Sequence, residues 1–220
     1  MKRITTLLLI GLMCGLATNA QSTKILMKTS MGDMTIMLYD DTPLHKDNFE
    51  SLVKDKFFDG LIFHRVINEF MIQAGNPNTR NHKPGESYAD ASEGSTIPAE
   101  FRPNHIHKKG ALSAARRGAG NPDKESSGSQ FYIVQGEKYN DNMLAQVQSR
   151  RAKPFSQEEK EVYKKIGGTP FLDFEYTVFG EVIKGLEVVD KIAAVKVVDP
   201  KKRDNRPVED VKIISARIIK

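Results

Sequence analysis

The most informative stretch of this 220-residue sequence reads FHRVINEFMIQAGN and runs from Phe63 to Asn76. It places Arg65 inside a densely apolar segment, and Gln73 follows eight positions later. A buried strand accepts an arginine only when its N–H donors are occupied, because an unpaired interior charge is strongly unfavourable. The stretch therefore predicts either a structural ion pair with a nearby carboxylate or a buried binding surface that keeps two hydrogen-bonding groups.

The front half of this stretch, residues 62–68, has the pattern of a β-strand. Alternation puts Phe63, Arg65 and Ile67 on one face of the strand and His64 on the other. One face therefore carries the guanidinium. We interpret His64 as a histidine packed in the core, because it lies on the face opposite Arg65.

Three sequence blocks, in this order, resemble the signature of the cyclophilins, the barrel-type peptidyl-prolyl cis-trans isomerases. The first block is the stretch quoted above, and the second is GSQFYI at residues 128–133. The third is FLD at residues 171–173, followed by YTVFG at residues 176–180. The resemblance extends from about Lys24 to the C-terminus and is interrupted by one segment, at about 138–168, that looks inserted.

The rest of the chain is mainly β in pattern. Residues 24–29 and 33–39 predict a hairpin, while Thr42 and Pro43 are typical of the N-cap and first residue of a helix. Residues 186–193 predict a second core helix. Closure removes exposed strand edges, which favours a barrel. Together with the resemblance, this predicts a closed antiparallel eight-stranded cyclophilin-like barrel capped by two helices.

The inserted segment is predicted to be a helical excursion from this barrel. Ser156 and Glu159 have the spacing of a capping box that opens a short helix, and Gly167 would end that helix. The segment is either a partner-binding or substrate-gating element beside the pocket or a solvated surface decoration. The residues alone leave both interpretations open.

The resemblance implies a site made of one charged donor, its partner and an apolar slot. Arg65 and Gln73 are the implied catalytic residues, Gln73 orienting Arg65 and bonding the substrate backbone. The implied substrate-binding residues are Phe70, Met71, Ala115, Arg116, Gln130, Tyr132, Phe171, Leu172 and Tyr176. The substrates would be proline-containing polypeptides bound in an extended form, and the implied reaction uses no cofactor and no metal.

The chemistry of that reaction explains why one arginine would suffice. Rotation about an X-Pro bond faces a barrier of about 18–20 kcal/mol because twisting destroys the amide conjugation. In the twisted state the proline nitrogen regains a lone pair, so a donor aimed at this nitrogen favours the transition state over both planar states. Arg65 can be this donor, and its permanent charge means that no proton transfer is needed.

The chain departs from the commonest cyclophilin pattern at the rim of the implied site. Arg116 and Arg117 stand where many members carry small or amide residues, so the substrate preference is in question. The two arginines either favour acidic peptides or are simply solvated. Phe171 stands where cyclosporin-sensitive members have tryptophan, and Tyr176 replaces their histidine, as in exported bacterial members.

Residues 1–20 have the features of a secretory signal peptide. Lys2 and Arg3 precede a short apolar stretch that is too short to span a membrane, and small residues end the leader at Ala20. Cleavage there would leave one isomerase domain, residues 21–220, in the periplasm or outside the cell, without a cysteine. The alternative is a lipid anchor at Cys14, although the preceding Leu12-Met13 lacks the small residue that such processing needs.

Other functions have weaker support in the sequence. The net charge of +5 falls to +3 without the two basic residues of the leader, and mixed charges of this kind do not indicate a nucleic-acid partner. His105 and His107 alternate, but no nearby carboxylate or cysteine in the sequence completes a metal site. Ser129 has no evident base, which argues against a hydrolase. We expect a monomer.

Overall fold

The computed structural model of the protein describes residues 22–81, 88, 95–199 and 204–220. The predicted signal peptide, its cleavage site after Ala20 and the alternative anchor at Cys14 lie outside the described residues. No helix among the described residues has the length and apolarity needed to cross a membrane.

Strands dominate the described residues. They are β1 (Lys24–Thr29), β2 (Gly32–Leu38), β3 (Arg65–Ile67), β4 (Met71–Ala74), β5 (Thr96–Ile97), β6 (Ala111–Ala114), β7 (Ser126–Ser127), β8 (Phe131–Val134), β9 (Val178–Lys184), β10 (Val197–Asp199), β11 (Asp204–Pro207) and β12 (Ile213–Ile219). The α-helices are α1 (Pro43–Lys54), α2 (Asp141–Gln148), α3 (Gln157–Lys165) and α4 (Leu186–Ala193). Two short 3-10 helices, η1 (Pro77–Asn81) and η2 (Pro170–Leu172), complete the described elements.

Eight of these strands form one curled antiparallel sheet in the order β12-β1-β2-β9-β6-β8-β4-β3. The mainly β architecture with eight strands is therefore as predicted, but the prediction of a closed barrel was wrong, because β3 and β12 stay at opposite edges of an open half-barrel. The segment before β3 forms a few backbone hydrogen bonds with the chain around the start of β12, such as Phe63 N–H to the Val211 carbonyl at 2.9 Å. Strand β3 has three residues, and its ladder is with β4 rather than β12.

The alternation predicted for residues 62–68 holds only within β3. Val66 is buried in the main core, whereas Arg65 and Ile67 are half-buried on the other face. Phe63 also belongs to the main core, although the pattern placed it with Arg65. The reason is that the strand begins at Arg65, so the two-residue period does not extend back to Phe63.

Helices α1 and α4 pack on the main core, as the sequence predicted. Phe49 of α1 contacts the rings of Phe58, Phe131 and Phe179, and α4 buries an apolar face that includes Ile192. Aromatic contacts of this kind favour tilted and edge-on geometry, which these rings adopt. The two helices thus cover apolar surface of the curled sheet.

Thr42 precedes α1, as predicted, but does not cap the helix with its side chain. Its hydroxyl donates instead to the Tyr39 carbonyl at 3.2 Å. The Glu100 carboxylate accepts from the backbone N–H groups of Leu44 and His45 at 3.2 and 3.0 Å. A carboxylate at this position satisfies free amides and complements the positive end of the helix dipole.

The insertion folds as two helices with a small core of its own. The capping box predicted at Ser156 is present, because its hydroxyl accepts from Glu159 N–H and the Glu159 carboxylate accepts from Ser156 N–H. Helix α2 was not predicted, although Asn140 caps it through a 2.9 Å bond from Met143 N–H. The apolar core of the insertion consists of Tyr139, Leu144, Phe155 and Tyr163.

Candidate active site

The strand register aligns the implied catalytic residues across the sheet. Arg65 of β3 lies opposite Gln73 of β4, and Gln73 lies opposite Tyr132 of β8. Residues that face each other in a ladder point to the same side of the sheet. The side chains of Arg65, Gln73 and Tyr132 therefore form a row on the face that turns away from the main core.

Arg65 is held by an amide rather than by a carboxylate. Its Nη1 donates to Gln73 Oε1 at 3.2 Å, and Gln73 Nε2 donates to Gln130 Oε1 at 3.1 Å. Among the described residues, no carboxylate lies within ion-pair distance of Arg65. Burial lowers the pKa of Arg65, but its ordinary value is so high that the guanidinium stays charged near neutral pH. The structural ion pair considered from the sequence is thus not found in the described part of the chain.

Beside Arg65 lies a groove of about 620 Å³, which we call the proline groove after the ring that the resemblance implies it would bind. Its lining consists of Arg65, Ile67, Phe70, Met71, Gln73, Ala115, Arg116, Tyr132, Leu172, Tyr176 and Asn205. Eight of the lining positions other than Arg65 were implied by the resemblance. Ile67 and Asn205 were missed. Ile67 could have been found, because it shares a face with Arg65, whereas Asn205 lies in no motif.

Gln130 and Phe171 contribute from outside this lining. Gln130 acts through its hydrogen bond to Gln73. Phe171 is 50% exposed and stacks on Phe70 with a centroid separation of 5.8 Å. Phe171 therefore supports one wall of the proline groove and also faces a neighbouring depression.

The buried Tyr132 hydroxyl is tied to a polar network. It lies 2.9 Å from His107 Nε2, and His107 Nδ1 lies 3.1 Å from the Asp173 carboxylate. Burial raises the pKa of Tyr132 well above its ordinary value, so the phenol stays protonated. A neutral, hydrogen-bonded phenol fixes the ring that lines the groove.

Arg116 does not extend freely from the groove rim. Its guanidinium donates to the Glu175 carbonyl at 2.8 Å and to the Glu175 carboxylate at 3.1 Å, and it lies 4.6 Å from the centre of the Tyr176 ring. Part of its charge is therefore neutralised by Glu175. This contact weakens the interpretation that Arg116 selects acidic peptides.

The main-chain groups of Ala115 and Arg116 differ in availability. Ala115 N–H donates to the Gln130 carbonyl at 2.9 Å, and the Ala115 carbonyl accepts from Ser127 N–H at 2.8 Å. No hydrogen bond from the described residues engages the Arg116 N–H or carbonyl. Of the two residues implied to bind peptide backbone, only Arg116 therefore has both main-chain groups available.

The two histidines considered as metal ligands point to different carboxylates. His105 Nε2 lies 2.6 Å from Asp41, and His107 binds Asp173. No cluster of three or more potential metal ligands occurs within residues 22–81, 88, 95–199 and 204–220. The geometry is that of two separate histidine–carboxylate pairs.

Arg65 thus lies beside a largely apolar groove on one face of the antiparallel sheet. Residues 24–218 match the family described as cyclophilin type peptidyl-prolyl cis-trans isomerase/CLD. This chain therefore belongs to the cyclophilin-type peptidyl-prolyl cis-trans isomerases.

Relatives and solved structures agree with this assignment. Provisionally named peptidyl-prolyl cis-trans isomerases from Staphylococcus epidermidis and Staphylococcus aureus are each 39% identical over 193 residues, which is 87% of this chain and 89% of theirs. A cyclophilin type isomerase from Cryptosporidium parvum has a TM-score of 0.64 at 24% identity, over 91% of this chain and 99% of its own. Its structure in the presence of the dipeptide Ala-Pro has a TM-score of 0.62. These two likenesses show the fold.

Proposed function

We propose that this enzyme assists protein folding by isomerising X-Pro bonds, with Arg65 stabilising the twisted amide. The observation that carries the proposal is the placement of Arg65, which is half-buried beside the proline groove and bonded to Gln73 rather than to a carboxylate. A guanidinium has five N–H donors. One bond to Gln73 leaves others for a substrate.

In the proposed reaction, the proline ring enters the apolar part of the groove beside Phe70, Met71 and Tyr132. This placement brings the proline nitrogen within reach of Arg65. As the amide twists, the nitrogen becomes pyramidal and accepts a hydrogen bond from the guanidinium. This hydrogen bond becomes strong only in the transition state. An interaction that favours the transition state over the bound substrate raises kcat.

The energy required is moderate. Turnover at about 10²–10³ s⁻¹ would require the barrier to fall by roughly 6 kcal/mol from its unaided value. One charged hydrogen bond in a dry site supplies about half of this, if it resembles other transition-state donors, which contribute about 3–4 kcal/mol. Desolvation and positioning of the peptide in the groove supply the rest.

The substrate backbone is proposed to bind along the rim of the groove. Gln73 and Gln130 present amide groups there, and Arg116 presents main-chain groups that no described residue engages and that suit an extended peptide. The Ala-Pro dipeptide used with the Cryptosporidium parvum structure supports the same class of ligand. We further propose that the protein acts as a monomer.

The proposal extends to the cell compartment. Residues 1–20 have the composition of a signal peptide, and we propose that the domain of residues 21–220 acts after export. A folding assistant for exported chains would encounter unfolded proline-containing polypeptides in that compartment.

The decisive experiment measures isomerisation of an X-Pro peptide by the parent protein and Arg65→Ala. We expect kcat/KM to fall between tenfold and about a thousandfold, the range observed when one transition-state donor is removed. Arg65→Lys should also be poor, because an ammonium does not reproduce the guanidinium fork. The matched control is Arg217→Ala, which removes an exposed arginine of β12 that pairs with Asp59. This variant should keep full activity.

The alternative function is a peptide-binding or chaperone module without useful turnover. The same experiment separates the two functions. If the parent protein binds X-Pro peptides but does not accelerate their isomerisation, the module is correct. If Arg65→Ala is as active as the parent, Arg65 has no role in the mechanism.

A further inference from the structure

A second groove, of about 500 Å³, lies between the insertion and η2. We call it the insertion groove. Its apolar lining comes from Tyr139, Met143, Val147 and Phe171, and its charged lining includes Glu137 and Arg150. The proposed isomerisation mechanism uses neither α2 nor α3, so this groove has no role in it.

The two grooves share a wall. Phe70 lines the proline groove and Phe171 lines the insertion groove, and their rings stack at 5.8 Å with an interplanar angle of 26°. A polypeptide that leaves the proline groove over Phe70 therefore meets Phe171 next. Phe171 is half-exposed, so the top of this wall is open to such a chain.

The insertion is fixed to the sheet by a buried ionic network. Arg151, three residues after the end of α2, donates to Asp173 at 2.9 Å and to Glu159 at 2.7 Å. The side chains of Arg151 and Asp173 are each 1% exposed. Tyr163 of α3 also donates to Asp173.

Asp173 connects the two grooves, because the same carboxylate binds the insertion and His107, which holds Tyr132 in the proline groove. A mobile decoration would not need a buried arginine paired with two carboxylates. The network instead keeps the insertion groove at a constant distance from the proline groove. Two subsites that bind one ligand at the same time require such a constant separation.

We propose that the insertion groove binds a second part of the same client polypeptide, a large apolar side chain about four residues from the proline. The inference rests on the proposed function, since it takes the proline groove as the first subsite. The two stacked rings lie between the subsites, and one van der Waals contact distance on each side of them gives a separation of roughly 13 Å. An extended chain spans this distance in about four residues, at about 3.3 Å per residue. Arg151 also lines the groove, but its charge is paired with Glu159 and Asp173. The remaining charges, on Glu137 and Arg150, are one of each sign, so apolar contact rather than charge selects the side chain.

The test compares peptides that share one X-Pro core. One peptide is short, and two longer peptides carry leucine four residues before or four residues after the proline. Matched peptides carry serine at those positions. Two-dimensional exchange NMR measures kcat and KM for isomerisation. We expect one leucine peptide to have a KM about five- to tenfold below that of its serine partner, with kcat unchanged. Equal KM values in both pairs would overturn the proposal.

Two variants locate the effect. Met143→Glu places a charge in the insertion groove and should remove the leucine advantage while leaving turnover of the short peptide unchanged. Ala145→Glu places the same charge on an exposed position of α2 outside the groove and should keep the advantage. An advantage that survives Met143→Glu, or that both variants remove equally, would contradict the inference.

Calorimetric titration of the leucine and serine peptides separates this inference from the proposed function. If no peptide is isomerised but leucine still tightens binding through Met143, the groove is a subsite and only the catalytic proposal fails. If Met143→Glu changes the oligomeric state measured by light scattering without changing peptide affinity, the groove binds a second copy and the inference is wrong.

Discussion

Arg65 is half-buried beside the proline groove, and an amide rather than an acid holds its guanidinium. A carboxylate partner would satisfy the guanidinium in the resting enzyme and would compete with the substrate for its donors. Gln73 orients the group through one neutral acceptor at 3.2 Å and leaves its charge uncompensated by the described residues. The residue types at positions 65 and 73 therefore suit a hydrogen-bond donor whose strong acceptor is the substrate.

His64, next to Arg65, should make stability depend on pH. Burial, and then the charge of Arg65, lower the pKa of His64 from 6.5 to about 4 in the folded protein. The unfolded chain therefore binds the proton first as the pH falls, and the free energy of unfolding decreases between pH 6.5 and 4. The shift corresponds to about 3 kcal/mol at the acid end of this range.

Urea unfolding of the parent and of His64→Leu at pH 7.5 and pH 4.5 checks this expectation. The leucine variant lacks the titrating ring, so its loss of stability on acidification should be smaller. His45, whose pKa is also lowered by burial, remains in both proteins and contributes equally. Identical losses in the two proteins would show that His64 does not titrate in this range.

Among the elements, the insertion depends on one carboxylate outside it. Asp173 follows η2 and accepts from Arg151, Tyr163 and the His107 backbone N–H. These contacts join the insertion to His107, whose ring lies 2.9 Å from the Tyr132 hydroxyl on β8. Removing the negative charge would leave Arg151 buried with only Glu159 as a counter-ion.

Asp173→Asn should therefore lower the free energy of unfolding by about 2–4 kcal/mol, because it breaks a buried ion pair and disturbs its hydrogen bonds. It should also raise KM for X-Pro peptides, because His107 loses an anionic partner and Tyr132 is held less firmly. Urea unfolding and steady-state kinetics measure the two effects.

The control for this substitution is Asp141→Asn, which neutralises an exposed acid of α2 paired with Lys164. It should change stability by less than about 0.5 kcal/mol, as is usual for surface sites. Equal destabilisation by both substitutions would show that Asp173 is not the anchor of the insertion.

For the whole molecule, the proposal of export determines the compartment in which the protein acts. Expressed in a bacterium with its leader, the protein should appear in the periplasmic fraction with Gln21 as its first residue. Intact-mass measurement and N-terminal sequencing of that fraction test this directly. Lipidated Cys14 at the new N-terminus would establish the anchor instead, and an uncleaved chain in the cytoplasm would contradict both interpretations.

Local sequence determined much of the proposed site, because the residues concerned lie in short continuous segments. Arg65, Phe70, Met71 and Gln73 occur within nine residues, and one turn between β3 and β4 brings them together. The capping box at Ser156 was predictable for the same reason, since both of its hydrogen bonds lie within one helical turn. Such features depend on spacing alone.

The tertiary structure alone decided which distant residues meet. Tyr132 faces Gln73 only because β8 pairs with β4 in one register, and a shift of one residue would turn Phe131 to the groove instead. Asn205 joins the groove, and Glu100 caps α1, through contacts that no local pattern encodes. The open edge at β3 has the same origin, because strand length and closure depend on how the whole sheet curls. Sequence periodicity indicates the face of a residue only within a strand, as for Arg65 and not for Phe63, whereas the partner of a residue depends on packing across the chain.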